Sequence, residues 1–383
     1  MSKQYRWEDC WEVLKSRKRL LPALQVAAVL LIAACGAPVK RGDAQLPVFP
    51  PPPDQPRFYY ERTIYSTADV AKQDKNADLK RMLTGQAESG EGMTKPYGVA
   101  VYHGRVFVTD SGGRSVVVFD IPAQKSFRLG EGSEGALSMP LGIDIDNQGN
   151  VYVVDGTAKQ VQMYDKEGKF LRTLAAGTRL SRPSGIAVDN DGKRMYVVDT
   201  GSVTNEKHRV AVYDIQSNKH LFDIGKRGNG EGEFNLPRDV TIGTDGLLYV
   251  VDGGNFRVQV FKPDGTFVRV FGSIGRQGGQ FSRPKEAAID PDGNIYVIDA
   301  AFGNFQIFNP EGQLLLAVGG RSENDAPAKY MLPSGIAIDG DGRVYMVDQF
   351  FRKLEVYRPA KLAEDAGFTV KKAAPASKGA SGS

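Results

Sequence analysis

The chain has 383 residues, 41% apolar and 25% charged, with 44 glycines, 21 prolines, two cysteines and three histidines. That apolar share excludes a disordered chain, and two cysteines exclude a disulfide framework, a four-cysteine zinc site and, without Cys-x-x-Cys-His, an attached c-type haem. The formal charge of +4 mixes segments of different fate.

Residues 1–34 read as a targeting segment. Lys15, Arg17, Lys18 and Arg19 precede an apolar run from Leu20 to Ala34. The run is too short to cross about 30 Å of hydrocarbon and has the length of a signal-peptide core. It closes on Ile32-Ala33-Ala34-Cys35-Gly36. Small residues suit a signal peptidase, which needs a slim extended substrate, and a cysteine follows directly. This box resembles that of bacterial lipoproteins. The resemblance implies diacylation of the Cys35 thiol, cleavage before it and a firm membrane anchor, because each buried CH₂ is worth about 0.8 kcal/mol. Gly36, where the Gram-negative family places Asp for inner-membrane retention, implies the outer membrane. Six basic and three acidic residues lie in 1–34, so the remainder carries a formal charge of +1.

Residues 35–56 are expected to form a tether, since Pro50-Pro51-Pro52-Pro53 favours an extended polyproline II spacer. Residues 58–65, FYYERTIY, read as a single strand. Val70, Leu79, Met82 and Leu83 space an amphipathic helix near 68–83.

From Pro96 onward the chain repeats six times. The copies start at Pro96, Pro140, Pro183, Pro237, Pro284 and Pro333. Each has a short apolar alternation, a tight turn such as Asp292-Gly293, and a β-rich run closing on Asp110, Asp155, Asp199, Asp252, Asp299 or Asp348. A third alternating run follows (VVVFD, VQMYD, VAVYD, VQVFK, FQIFN, LEVYR), then a second turn and a fourth run. Asp-Gly supplies the positive φ that a two-residue hairpin needs. Four short strands with both pleat faces apolar cannot bury themselves alone, so the copies must close into a ring. The sixth copy lacks a fourth strand, and 58–65 matches that register. The expected fold is all-β: a six-bladed β-propeller of four-stranded antiparallel blades over residues 57–358, closed by the N-terminal strand completing the last blade. This covers an edge otherwise open to aggregation.

The repeat resembles the NHL family, most clearly in Tyr249-Val250-Val251-Asp252 and Asn255-Phe256-Arg257-Val258-Gln259-Val260-Phe261. Both tryptophans, Trp7 and Trp11, lie in the leader, unlike WD40 or quinoprotein propellers.

The six repeated aspartates are expected to accept backbone N–H bonds where a strand enters a turn, and to pair with a basic residue five positions on, as Asp252 with Arg257 or Asp348 with Lys353. His103, His208 and His220 hold non-equivalent positions and read as solvated surface residues, so a zinc site like that of the amidating lyases is not expected. Asp144 replaces the Ala found at the same position in four other inner strands. It is the candidate polar residue of the channel, but one carboxylate is not a divalent-ion cage. No GxSxG or HExxH occurs, so no catalytic residue, metal ligand or cofactor is assigned. A nearly neutral exported domain is a poor phosphate binder, so no nucleic acid is expected.

Strand alternation places the two Asp-Gly hairpins of every blade on one face. The second-to-third-strand loops and the blade connections lie on the other, called here the loop face. The length variations at 66–95, Thr200–His208 and Gly319–Leu332 all fall there. That face is the candidate partner-binding surface, with Phe256, Phe302, Phe350, Phe351 and Arg352, and with Arg238 and Lys285 at the channel mouth. Arg238-Asp239 and Lys285-Glu286 stand where other copies have Ser-Gly, and mutual ion pairing is expected of them. The tail, 359–383, reads as disordered. Together these features describe a lipid-anchored, non-catalytic propeller serving as a protein-binding scaffold or accessory subunit of a cell-envelope complex. Resemblance to exported lipoproteins implies multihaem cytochromes among its partners. The alternative is a metal-dependent gluconolactonase-like hydrolase or lyase acting in the channel.

Overall fold

The computed structural model describes residues 46–72, 90–177, 179–202 and 204–369. Six four-stranded antiparallel sheets follow one another around a ring. Blade one runs through strands Pro96–Tyr102, Arg105–Asp110, Ser115–Asp120 and Lys125–Leu129, and blade five ends in the long outer strand Leu314–Arg321. Blade six takes Pro333–Ile338, Val344–Asp348 and Lys353–Pro359 from the C-terminal side and Phe58–Ile64 from the N-terminal side.

The core is divided into six apolar clusters, each at a seam between neighbouring blades. Strands such as Val344–Asp348 are buried along their whole length, because both faces of a blade meet another blade. The seams account for the uninterrupted apolar runs of the second and third strands.

Ring closure is reinforced by polar contacts. Arg343 is fully buried and its Nε donates to Glu61 Oε2 at 2.9 Å. Lys353 is also fully buried. It donates to Glu355 at 2.7 Å and to Asp325 at 2.8 Å, the latter from the long Gly319–Leu332 connection. Lys353 therefore does not pair with Asp348 as the sequence spacing suggested. The two are cross-strand neighbours, but the ammonium turns toward the connection.

Other expectations change at the ends of the chain. Val48–Phe49, within the expected tether, pairs with Phe58 and Tyr59 as a fifth strand on blade six. Phe49 packs against Tyr357 at 6.0 Å, which gives an apolar reason for the pairing. Part of the expected disordered tail is docked: Phe368 stacks edge-on against His103 at 5.1 Å, and Ala366 accepts from Arg343 at 2.9 Å. Among the described residues, Thr67–Asp69 form a single 3-10 turn, while most of the helix expected near 68–83 lies outside them. The leader and Cys35 also lie outside them.

All six repeated aspartates are fully buried. In every blade the carboxylate accepts N–H groups from the connection just before the inner strand. Asp110 takes Thr94 and Lys95, Asp199 takes Ser181 and Arg182, Asp299 takes Ser282 and Arg283, and Asp348 takes Met331 and Leu332. Asp155 takes Ser138 and Met139, while Asp252 takes Asn235 and, as expected, Arg257. Each blade thus holds the strand start and the loop face in fixed register.

Replacing Glu61 by Ala would remove the hydrogen-bonded carboxylate of the buried Arg343 guanidinium and leave it, as a charge partner, only the longer ion pair to Asp341 at 3.5 Å, a change expected to cost about 3 kcal/mol. Urea unfolding of Glu61→Ala checks this. The paired Glu61→Leu/Arg343→Met variant is expected to recover most of the loss.

Candidate functional site

The inner strands approach each other closely around the channel. Two residues beyond each Pro, four blades carry Gly98, Gly142, Gly185 and Gly335. A Cβ at Gly142 would lie 2.6 Å from the Ser184 carbonyl, and one at Gly335 would lie 2.5 Å from the Tyr97 carbonyl. Glycine is there because the next blade leaves no room. Blades four and five carry Asp239 and Glu286 at that position instead. Their side chains reach across the seam: Asp239 accepts Ala287 N–H at 3.1 Å and Glu286 accepts Ile336 N–H at 3.2 Å. Asp144 does the same from blade two, accepting Val188 N–H at 2.7 Å and its neighbour Ile145 N–H at 2.8 Å. Three carboxylates therefore satisfy inner-edge donors of the following blade.

These carboxylates line one channel cavity of about 140 Å³. Burial pushes Asp144 up to about 7, against the lowering effect of its two backbone donors. Burial pushes Asp239 up to about 8, with a smaller push from Asp144. Glu286 is raised well above the usual carboxylate range, first by burial and then by Asp239. Among the described residues no group of three or more His, Cys, Asp or Glu has the geometry to hold a metal ion.

The expected ion pairs within Arg238-Asp239 and Lys285-Glu286 do not form within 4.0 Å. The carboxylates turn to the neighbouring backbone, and the cations stay at the mouth. A Cβ at Gly253 would lie 2.7 Å from Arg238 Cγ, so Arg238 lies along its own blade's turn. Lys285 is pushed down to about 8, first by burial and then by Arg238, Arg283 and Lys95. Burial lowers Arg238, with further contributions from Arg182 and Arg283.

The aromatic candidates are not equivalent. Phe350 is 57% exposed, while Phe256, Phe302 and Phe351 are half-buried. Phe256 joins the seam between blades four and five. Phe351 meets Phe350 edge-on at 5.2 Å and lies 5.3 Å from the Lys353 ammonium. The turns between second and third strands end on a left-handed residue: Arg114, Lys159, Phe256, Gly303 and Arg352 in five blades. That conformation places Arg352 as an exposed residue on the loop face. Phe350 and Arg352 are thus the exposed members of the proposed surface.

The three histidines stay apart, but they are not all solvated. His208 is fully buried, with Nδ1 accepting Leu236 N–H at 3.1 Å and Nε2 meeting the Ser202 carbonyl at 2.9 Å. It braces the longer Thr200–His208 loop. His220 contacts Asp223 at 2.7 Å. Sequence reasoning also missed one anchor. Three residues before each Pro, a buried apolar side chain plugs the connection: Met93, Leu137, Leu180, Phe234, Phe281 and Tyr330. The signal was legible as an apolar residue at one fixed offset in all six copies.

A profile of the NHL repeat matches residues 234–261. NHL repeat-containing protein 3 from Mus musculus is 32% identical over 114 residues, which cover 27% of this chain and 31% of that protein. The match thus spans about a third of the relative's length. Among solved structures, a protein of unknown function from Bacteroides thetaiotaomicron aligns with a TM-score of 0.57 at 16% identity, over 77% of this chain and 75% of that one. A gluconolactonase from Xanthomonas campestris aligns with a TM-score of 0.53 at 18% identity, over 70% and 86%. At those identities the likeness shows the propeller shape, which enzymes and non-enzymes share.

The channel carboxylates predict a pH dependence. Their folded-state values lie above those of an unfolded chain, so the folded protein binds more protons across that window. The stabilisation is complete at acid pH and is lost as pH rises through about 7–8. Unfolding free energy is expected to fall by about 1 kcal/mol or more between pH ~5 and ~8.5. Urea titrations at both pH values check this, and Asp144→Asn is expected to flatten the slope.

Proposed function

We propose that the chain is a lipid-anchored, non-catalytic propeller that docks a protein partner at the cell envelope through its loop face. The observation that carries this is the use of the channel. Asp144, Asp239 and Glu286 are each engaged by backbone donors of the next blade. Their cavity is far below the about 300 Å³ and upward of ordinary small-molecule sites. The exposed chemistry lies outside, where Phe350 and Arg352 project from rigid turns. Aromatic and arginine side chains on a fixed scaffold are the usual anchors of protein interfaces. The lipobox ending in Cys35 supports export, acylation and, with Gly36, the outer membrane. In this reading the chain supplies an anchored surface to an envelope complex and binds no haem itself.

The enzyme alternative draws on the same three carboxylates, which converge in one cavity in a fold that a gluconolactonase shares. A tightly held stoichiometric divalent ion in the purified protein would favour it, and metal analysis by mass spectrometry decides the point.

Two outcomes are expected of the scaffold. Cys35→Ser should abolish incorporation of labelled palmitate and release the protein from the membrane fraction. Affinity isolation from detergent-solubilised membranes should recover a defined set of envelope proteins with the wild type, and at least about tenfold less with Phe350→Ala, since a central aromatic anchor is worth about 2 kcal/mol or more. Recovery unchanged by Phe350→Ala overturns the docking face.

A further inference from the structure

The channel mouth carries a concentration of positive charge that the docking surface alone does not explain. Lys95, Arg182 and Arg283 each directly precede an inner-strand proline, and Arg238 and Lys285 directly follow one. They come from blades one, three, four and five, so the repeat brings to one rim residues far apart in sequence. Lys95, Arg182 and Arg283 are exposed, and Arg238 and Lys285 are half-buried. Among the described residues none of the five has a carboxylate within 4.0 Å. Glu286 and Asp239, the carboxylates beside them, lie deeper and bond to backbone N–H groups.

The rim is also rigid. The backbone N–H of Lys95 is held by Asp110, that of Arg182 by Asp199, that of Arg283 by Asp299, and that of Arg238 by the Val251 carbonyl. Like charges held close by a stiff backbone are costly to leave unneutralised; Arg238, Arg283 and Lys95 add to the burial that lowers Lys285. The complement is a ligand with several negative charges. The channel cavity below, about 140 Å³, is too small to admit a compact polyanion, so the charges must reach the rim from outside, on the loop face that also carries exposed Phe350 and Arg352.

Resting on the docking reading above, we propose that the five-cation rim seats an acidic segment of the protein partner, its Asp and Glu side chains reaching the channel mouth. Charge complementarity of this kind sets register and association rate, and it weakens with salt.

The test uses the purified full chain in detergent and a fluorescein-labelled poly-glutamate peptide, followed by anisotropy at low salt. The peptide is expected to bind and to be released as salt is raised. Arg182→Glu/Arg283→Glu should weaken binding at least about tenfold. Both substitutions keep the backbone N–H that the buried aspartate holds, so the thermal midpoint should match the wild type. Peptide affinity unaffected by the double reversal, or tighter binding of a poly-uridine RNA of matched charge, overturns the inference. Membrane isolation separates it from the broader reading. Partner recovery lost with Phe350→Ala but kept with Arg182→Glu/Arg283→Glu sinks the acidic seat alone; recovery indifferent to both sinks the docking face as well.

Discussion

A carboxylate buried at the end of the second strand, accepting N–H groups from the segment that leads into its own blade, is the contact on which this propeller depends. It occurs in all six blades, at Asp110, Asp155, Asp199, Asp252, Asp299 and Asp348. The segment it holds arrives from the previous blade and would otherwise present unpaired donors at a buried seam. Leaving such donors unsatisfied costs about 1–3 kcal/mol each. An acceptor with two oxygens and no protons of its own suits the place, which is why aspartate recurs where serine or asparagine would not serve equally. In four blades the same carboxylate also accepts a backbone N–H from the following turn, and Asp252 accepts the Asn255 side-chain amide instead, so one residue ties strand start, strand end and loop together.

A second consequence concerns the channel. Inner strands have one edge without a strand partner, and around a narrow ring that edge faces the next blade. Four blades meet the constraint with glycine and close approach. Two meet it with Asp239 and Glu286, whose side chains reach across and accept the neighbour's N–H. Asp144 adds a third such bridge from a different offset. Acidic residues in a propeller channel thus have a structural occupation here, and their raised proton affinity follows from burial beside one another. The cations that neighbour two of them in sequence are left at the mouth, half-buried.

The seam between blades five, six and one bears the load of closure, since a ring made from one chain must join its ends. Phe58–Ile64 pairs with Lys353–Pro359, about 300 residues away in sequence, and Val48–Phe49 adds to its outer edge. Glu61–Arg343 and the Lys353–Glu355–Tyr330–Tyr357 network are buried there. Such groups destabilise when one partner is removed, and they specify a single register. The docking of Phe368 on His103 shows that chain beyond the last strand also finds apolar surface on the hairpin face.

Periodicity made the architecture legible in the sequence. Proline, Asp-Gly and the terminal aspartate recur at fixed offsets, and each has a local physical reason that needs no distant partner. Closure by residues 58–65 was legible for the same reason, because a missing fourth strand and a spare first one share a register. What the sequence could not place were the partners of single side chains. Lys353 turns to Asp325 rather than Asp348, His208 is buried rather than solvated, and Asp239 and Glu286 bond to backbone rather than to the cations beside them. Only Phe350 among the candidate phenylalanines is mostly exposed. Those outcomes depend on where neighbouring blades bring their edges. That is a property of the closed ring, set by packing between segments tens to hundreds of residues apart, and only the tertiary structure decides it.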